Sequence, residues 1–291
     1  MLKTLLSFAG RYLNTLAHLL PRIAGRQGFR LFCRPFRTPL TAYHKKFLNT
    51  ADQFSFEHDG ILIQAYRWGE GPKKILFVHG WQSHSFRWKA YIESLSKEQY
   101  TMYAFDAPGH GLSGGSFLTV PYYSDIIQKL IDSLGEIHIL VGHSLGCFAS
   151  LHAIHAHPSL PVRKLILMAP PGKASDFLLF YQNTLKLSAK CVSLILKHFE
   201  NVIQKPISYF STTDFATSVK VSGLIIHDEN DAETPYANAV EISQRWDNSK
   251  LITTKGLGHN LKSPEVVLDV INFIETTTNQ PNMRIAESME G

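Results

Sequence analysis

Short apolar runs recur along the chain from residue 61 onward, and segments with helical spacing separate them. Continuous apolar runs of this length are typical of parallel strands buried on both faces, and the first run alternates apolar and polar positions as an antiparallel strand does. The pattern therefore predicts an α/β fold, with a mostly parallel sheet and helices on both faces. The predicted strands are 61–68, 74–78, 101–105, 137–141, 164–168, 223–226 and 250–253, and the predicted helices are 88–95, 124–134, 146–156, 237–246 and 264–274.

One interval breaks this alternation. Between the predicted strands 164–168 and 223–226 lie about fifty residues, far more than one connecting helix needs. Within it, residues 176–204 have a broadly apolar helical pattern, which predicts a small helical cap inserted at about 171–215. Such a cap would cover the carboxyl edge of the sheet, where open α/β sheets bind ligands. An extended crossover that only fills surface is the alternative. The domain that carries the cap is predicted to span 55–277, followed by a C-terminal tail at 278–291.

Residues 1–54 form an N-terminal extension of different composition. Residues 1–50 contain nine Lys or Arg and no acid, whereas the rest of the chain has four more acids than bases. Leucines recur at roughly helical spacing over residues 2–20, with Lys3 and Arg11 among them, which predicts an amphipathic helix. Three alternatives stay open for this helix: docking on the body of the protein, peripheral contact with a membrane surface, and contact with a partner. A signal peptide is not favoured, because the apolar segment is interrupted early.

Composition argues against several other kinds of site. No apolar stretch reaches the roughly 18 residues that a membrane-spanning helix needs. The three cysteines, Cys33, Cys147 and Cys191, show no C-x-x-C spacing, which argues against a disulfide framework or a thiolate metal site and favours a reducing, cytoplasmic location. No phosphate loop, dinucleotide fingerprint or nucleic-acid-binding module occurs. We therefore expect no cofactor, no metal ion and no nucleic-acid partner.

The strongest chemical signal is the pentapeptide Gly142-His143-Ser144-Leu145-Gly146. It joins an apolar run to a small-residue helical segment, which is the context of a nucleophile elbow. On such a turn a strained backbone pushes the serine hydroxyl out of the sheet edge, and the glycines let strand and helix approach closely. A glycine-rich turn with a capping serine is the alternative. The context favours Ser144 as a nucleophile.

Candidates for the acid and the histidine follow the last two predicted strands, in the order Ser, Asp, His. Asp228 and Asp231 follow the first of these strands, and His259 follows the second. Serine is a poor nucleophile at neutral pH, so it needs an imidazole to remove its proton, and the imidazole needs a carboxylate that fixes its tautomer. We predict Ser144 as nucleophile, His259 as general base and then acid, and Asp231 as the orienting carboxylate. Asp228, at the strand end, is predicted to be structural.

An electrophilic element is predicted at His79-Gly80-Trp81, directly after the strand at 74–78. A sharp turn there can aim the backbone N–H of Trp81 at the same point as that of Leu145. Two such donors would form an oxyanion hole for the developing negative charge. His79 itself is predicted to be a buried turn histidine rather than a second base.

Taken together, these motifs resemble those of the α/β-hydrolase fold family over about residues 55–277. The resemblance implies that the loop beginning at Asp106 borders the site without doing chemistry. Dehalogenases and epoxide hydrolases of this fold carry an aspartate where Ser144 stands, so they are not favoured. The motifs are the oxyanion turn 79–81, the loop 106–111 with Ser113-Gly114, the pentapeptide 142–146, the segment 227–231 and Gly258-His259.

These chemical parts predict a serine hydrolase that cleaves a carboxylic ester or thioester through an acyl-enzyme intermediate. The apolar cap predicts a small-molecule substrate with an apolar portion. Two other classes stay open, because a fold does not fix a function: a cofactor-free lyase or peroxidase, and a non-catalytic binding relative. The oligomeric state is not predicted. A cytoplasmic location is expected, with association to a membrane surface if the N-terminal helix makes that contact.

Overall fold

Eight strands form one sheet in the computed structural model, which describes the backbone of residues 2–276 and the side chains of residues 5–276. The predicted tail at 278–291 lies outside the described residues. The strands are β1 (Asp52–His58), β2 (Ile61–Trp68), β3 (Lys73–Val78), β4 (Tyr100–Phe105), β5 (Ile137–His143), β6 (Val162–Met168), β7 (Ser222–Asp228) and β8 (Ser249–Thr254).

The sheet is mostly parallel, in the order β1-β2-β4-β3-β5-β6-β7-β8. Strands β4, β3, β5, β6, β7 and β8 pair parallel with their neighbours, whereas β1 and β2 form an antiparallel hairpin whose second strand joins β4 antiparallel. The carboxyl ends of the parallel strands therefore lie at one edge of the sheet. This edge brings together the turns that follow β3, β5, β7 and β8.

Helices cover both faces of the sheet, so the predicted fold class is confirmed. On one face lie α5, α6, α9 and α10, and on the other lie α3, α4 and α11. The helices of the described chain are α1 (Leu2–Leu19), α2 (Pro21–Phe32), α3 (Ala42–Leu48), α4 (Lys89–Ser94), α5 (Val120–Leu134), α6 (Leu145–Ala156), α7 (Ala174–Leu185), α8 (Ala189–Ile203), α9 (Thr212–Ala216), α10 (Tyr236–Arg245) and α11 (Pro264–Glu275).

The cap consists of α7 and α8, inserted between β6 and β7. The helical pattern predicted over 176–204 is divided, because the chain turns between the two helices. Lys186 ends α7 in the left-handed conformation at φ 54°, and the Ser188 side chain begins α8 by accepting a hydrogen bond from the backbone N–H of Cys191. A capping serine and a left-handed residue together reverse the chain direction. The cap is therefore a helical hairpin rather than one continuous helix.

The N-terminal helices pack on this cap. On α1, Leu13 and Ala17 are buried, and Gly10 lies so close to the end of α7 that a Cβ would collide with the Leu185 carbonyl oxygen. The Asn14 side chain donates to the Lys186 carbonyl oxygen at 3.0 Å and accepts from the backbone N–H of Ser188 at 2.8 Å. The inner face of α1 is thus docked on the turn of the cap hairpin.

The second N-terminal helix, α2, packs against α8 through small residues. A Cβ on Gly25 would lie 2.5 Å from the Leu194 carbonyl oxygen, so only glycine permits this approach. The Tyr181 hydroxyl of α7 donates to the carbonyl oxygen of Gly28 at 3.1 Å. Within residues 2–276, no helix is both long enough and apolar enough to cross a membrane.

Candidate active site

Ser144 lies on the turn between β5 and α6 with a strained backbone. Its φ of 52° and ψ of −121° place a non-glycine residue at positive φ. Such a conformation costs on the order of 1–3 kcal/mol and persists only where the surrounding structure holds it. The residue is 9 % exposed, and α6 begins with the next residue. The strand, the sharp turn and the helix predicted for a nucleophile elbow are all present.

Two glycines make this tight turn sterically feasible. A Cβ on Gly142 would lie 2.8 Å from the backbone nitrogen of Cys147, and a Cβ on Gly146 would collide with the carbonyl oxygen of Val78 at the end of β3. Both contacts are with backbone, which cannot rotate away as a flexible side chain can. Larger residues at either position would therefore push α6 away from β5 and β3.

The turn after β3 lies directly against the candidate nucleophile. A Cβ on Gly80 would lie 2.9 Å from the Cβ of Ser144. Leu145 is the first residue of α6, so its N–H has no acceptor within the helix and lies at the positive end of the helix dipole. The structure thus brings the turn that carries Trp81 next to the helix terminus that carries Leu145.

His79 holds this turn in place. Its Nδ1 donates to the Gly80 carbonyl oxygen at 2.7 Å, and its Nε2 accepts from the backbone N–H of Ala107 at 3.0 Å. The Tyr123 hydroxyl donates to the carbonyl oxygen of His79 at 2.9 Å. Burial lowers the pKa of His79 well below its ordinary value, so the ring stays neutral. His79 is therefore a structural histidine with both ring nitrogens occupied by backbone.

Asp231 and His259 form a direct pair. The Nδ1 of His259 lies 2.8 Å from Oδ2 of Asp231, and the carboxylate is fully buried. Burial alone would raise the pKa of Asp231, but hydrogen bonds from His227, His259 and nearby backbone outweigh it and hold that pKa well below its ordinary value. The carboxylate is therefore ionised and presents an acceptor to Nδ1. This leaves Nε2 of His259 as the ring nitrogen free for proton transfer.

Further groups fix the Asp231 carboxylate. Its Oδ1 accepts from the backbone N–H groups of Glu233 and Thr234 at 2.8 and 3.0 Å. The Thr234 hydroxyl donates to Oδ2 at 2.8 Å and lies 3.1 Å from Nδ1 of His259, while Nε2 of His227 lies 3.2 Å from Oδ2. Neither Thr234 nor His227 was assigned a role from the sequence: Thr234 lies outside the motifs, and His227 lies within the segment 227–231 but at its first position, away from the predicted acid.

Asp228 makes no hydrogen bond to His259 and binds a different set of groups. Its carboxylate accepts from the Thr254 hydroxyl and the Leu257 N–H at 2.8 and 2.9 Å, and from the N–H groups of Asn230 and Gly256. Burial would raise the pKa of Asp228, yet these hydrogen bonds lower it. Asp228 therefore ties the loop after β7 to the loop that leads to His259.

The structure places His259 beside the elbow through backbone contacts. Nε2 of His143 donates to the carbonyl oxygen of His259 at 2.9 Å, and the two ring centroids are 5.0 Å apart. Burial lowers the pKa of His143 well below its ordinary value, which keeps this ring neutral. The Oγ of Ser144 and Nε2 of His259 do not form a hydrogen bond in this conformation, and contacts of this type often tighten only in the substrate complex.

Two charged side chains flank the His259 loop. The Arg87 guanidinium donates to the carbonyl oxygen of Asn260 at 2.8 Å, and burial lowers its pKa to about 10. The Glu233 carboxylate, 69 % exposed, lies 3.8 Å from Nε2 of His259. Arg87 therefore holds the backbone of the loop next to His259. Glu233 places an exposed negative charge near the His259 ring.

The loop after β4 is held by a buried carboxylate. Asp106 is fully buried and accepts from the backbone N–H and hydroxyl of Ser85, from the Leu112 N–H and from the Tyr66 hydroxyl. Arg37, from the N-terminal extension, donates to the carbonyl oxygens of this loop. Asp106 thus fixes the conformation of the loop, and none of these hydrogen bonds reaches Ser144. This is consistent with the structural role that the resemblance implies for the loop.

Comparison with known proteins gives the same fold. The structure is similar to the one described as ferulic acid bound to Est1E from Butyrivibrio proteoclasticus, with a TM-score of 0.60 and 21% identity over 76% of this chain and 97% of that chain. It is also similar to the thioesterase domain from the curacin biosynthetic pathway, with a TM-score of 0.57 and 16% identity over 78% of this chain and 99% of that chain. Among curated proteins, the bifunctional esterase/perhydrolase of Acinetobacter calcoaceticus is 24% identical over 75% of this chain and 98% of its own length.

Two family models match the chain. The TAP-like protein model matches residues 204–281, which include Asp231 and His259. The Hydrolase_4 model, described as serine aminopeptidase, S33, matches residues 70–236, which make up more than half of the chain and include Ser144. The chain therefore belongs to the Hydrolase_4 family of the α/β-hydrolase fold.

Proposed function

We propose that the protein is a serine hydrolase that cleaves carboxylic esters or thioesters through an acyl-enzyme. The observation that carries this proposal is the Asp231–His259 pair, 2.8 Å apart, beside a serine held at positive φ on the β5–α6 elbow. An ionised buried acceptor on Nδ1 orients the imidazole and stabilises its protonated form. The names of the relatives support an ester or thioester substrate, because they include an esterase/perhydrolase and a thioesterase domain.

The residues suit the two halves of acyl transfer. The Oγ of Ser144 attacks the carbonyl carbon while Nε2 of His259 takes its proton, and the oxyanion accepts hydrogen bonds from the N–H groups of Trp81 and Leu145. The imidazolium then protonates the departing alcohol or thiol, which leaves an acyl-serine. Water repeats the sequence: His259 removes its proton, the new oxyanion forms at the same donors, and serine leaves with the proton returned. The net reaction is hydrolysis of one ester or thioester bond.

Aromatic side chains support a substrate with an apolar portion. Phe177, on α7 of the cap, is partly buried, and its ring centroid lies 6.5 Å from that of Phe148 on α6. An apolar acyl group beside Phe177, between α7 and the sheet edge, would be removed from water.

The alternatives have less support. A peroxidase or lyase on this fold would use the same elbow, and the name of the Acinetobacter calcoaceticus relative includes a perhydrolase activity beside its esterase activity. A non-catalytic binding relative would have no need for a buried, ionised carboxylate on Nδ1 of His259. The predicted peripheral contact of the N-terminus with a membrane stays a prediction and does not bear on the chemistry at Ser144.

Covalent labelling with a fluorophosphonate tests the proposal. We expect the wild-type protein to be labelled and Ser144→Ala to be unlabelled at an unchanged melting temperature. Turnover is measured with p-nitrophenyl esters and acyl-CoA thioesters of graded chain length. An amino-acid p-nitroanilide is the comparison substrate, because the matching family is described as serine aminopeptidase. A folded protein without labelling would refute the serine nucleophile, and labelling without turnover of any ester or thioester would refute the substrate class.

A further inference from the structure

The outer face of α1 is apolar, although the helix is already docked by its inner face. Leu13 and Ala17 are buried against the cap, whereas four large side chains elsewhere on the helix remain exposed. Positions i, i+3, i+7 and i+14 fall on one side of an α-helix, so these four side chains lie on the same side of α1 and are called here the outer stripe. The outer stripe consists of Leu5, Phe8, Tyr12 and Leu19, which are 65, 63, 53 and 71 % exposed.

A row of arginines runs along the exposed face of the neighbouring helix. Arg22, Arg26 and Arg30 are exposed, and their spacing of four residues places them on one side of α2. None of the ion pairs found within residues 5–276 involves any of the three. Neither α1 nor α2 contains an acidic residue that could neutralise them.

The two helices that carry the outer stripe and the arginine row pack on the same support, the cap. The inner face of α1 contacts α7 and α8, and the small-residue face of α2 contacts α8. Both rows remain exposed beside these contacts, and the charges of Arg26 and Arg30 lie near enough to His198 of α8 to contribute to lowering its pKa, after burial. A large apolar row and an uncompensated cationic row on adjacent helices are the composition of a helix pair that lies in a membrane interface.

We propose that the outer stripe and the α2 arginines dock the protein on the surface of a membrane that contains anionic lipids. The stripe side chains enter the boundary between headgroups and acyl chains, and the arginines bind the lipid phosphates and negative headgroups. A guanidinium matches a phosphate with two parallel hydrogen bonds, which suits arginine to this role. This docking goes beyond the proposed hydrolase activity and does not depend on it.

Sedimentation with vesicles tests the docking without using activity. Full-length protein is mixed with vesicles of phosphatidylcholine and phosphatidylglycerol, and in parallel with vesicles of phosphatidylcholine alone. We expect clear binding to the anionic vesicles, weak binding to the zwitterionic vesicles, and a decrease in binding with added salt. Replacing the arginines together, as Arg22→Gln/Arg26→Gln/Arg30→Gln, should weaken the partition coefficient about 100-fold.

The apolar contribution is tested by a second variant, Leu5→Ser/Phe8→Ser/Tyr12→Ser, which should also weaken partitioning on the order of 100-fold. These positions are exposed, so the melting temperature and the hydrolysis of a soluble short-chain ester should stay unchanged. The matched charge control is Arg245→Gln/Lys250→Gln/Lys255→Gln, on α10, β8 and the following loop. The matched apolar control is Leu62→Ser/Leu268→Ser, because both leucines are 59 % exposed on β2 and α11.

Several results would overturn the docking. Equal binding to both kinds of vesicle would remove the role of anionic lipid, and equal losses in test and control variants would remove the role of this face. The remaining alternative is a second copy of the chain on the outer stripe. Size-exclusion chromatography without lipid would reveal it as a dimer that the Leu5/Phe8/Tyr12 variant dissociates, together with an absence of vesicle binding.

Discussion

The Asp231→Asn substitution tests whether the His259 ring works through a carboxylate acceptor. One carboxylate oxygen of Asp231 accepts from Nδ1 of His259 and the Thr234 hydroxyl, and the other accepts from the backbone N–H groups of Glu233 and Thr234. An asparagine side chain keeps only one acceptor oxygen. If that oxygen stays on the two backbone N–H groups, the amide NH₂ faces Nδ1.

This orientation is the favoured one, because the opposite one leaves two buried backbone donors without acceptors, at about 1–3 kcal/mol each. The NH₂ group then donates to Nδ1, so the ring carries its own proton on Nε2 and cannot accept the proton of Ser144. The same exchange in a well-studied serine protease triad lowers kcat about 10⁴-fold. At about 1.36 kcal/mol per factor of ten, the expected loss is roughly 5.4 kcal/mol of transition-state stabilisation.

The assay is kcat and kcat/KM for a soluble p-nitrophenyl ester, with the melting temperature measured in parallel. Asp228→Asn is the matched control, since it makes the same chemical change at the other strand-end aspartate. Asp228 makes no hydrogen bond to His259, so its variant should keep kcat within about tenfold and lose melting temperature through weaker loop contacts. If Asp228→Asn lost the larger share of kcat, the assignment of the carboxylate would be wrong.

Three further predictions concern single positions. Ser144→Ala should lower kcat roughly 10⁶-fold in a folded protein, and retention of a few per cent of ester turnover would contradict the nucleophile assignment. Gly146→Ala should lower the melting temperature, because its Cβ would collide with the Val78 carbonyl oxygen, and an unchanged value would refute the close packing. Burial lowers the pKa of His110 from 6.5 to about 4, so its stabilising contribution is complete above pH 6.5 and is lost as the pH falls toward 4, at about 1.4 kcal/mol per pH unit. His110→Gln should therefore flatten the fall in melting temperature over that range, and an equally steep fall would contradict the buried neutral ring.

The parallel strands were predictable because each is buried on both faces. In β5, Ile139, Leu140 and Val141 are almost wholly removed from water, so the whole run must be apolar. Strand β1 was missed because it lies at the sheet edge and all seven of its residues are exposed or half-buried. The Asp59-Gly60 pair, with both residues at positive φ, was the available signal for this hairpin.

The candidate site could be predicted in part, for a topological reason. Ser144, Asp231 and His259 each follow a strand of one parallel sheet, so chain order and strand ends were enough to select them. Thr234 contacts Asp231 within one loop, but its approach to Nδ1 of His259 joins two loops. The contact of His143 with the His259 carbonyl oxygen likewise joins distant segments, and no local pattern encodes such contacts. The same limit applies to Asp228 and Asp231: the sequence placed both at one strand end, and only the loop conformation separates their contacts.

The amphipathic pattern of α1 shows why its alternatives could not be separated by sequence. Counting apolar positions does not tell which of them another helix covers. The structure divides them, with Leu13 buried on the cap and Phe8 exposed on the outer stripe. Docking on the body and contact with a membrane therefore use different faces and do not exclude each other. Deleting the helix would remove both faces at once, so a loss of stability after deletion would say nothing about lipid. Substitutions confined to the outer stripe separate the two effects, because they leave Asn14 and its contacts with the cap intact.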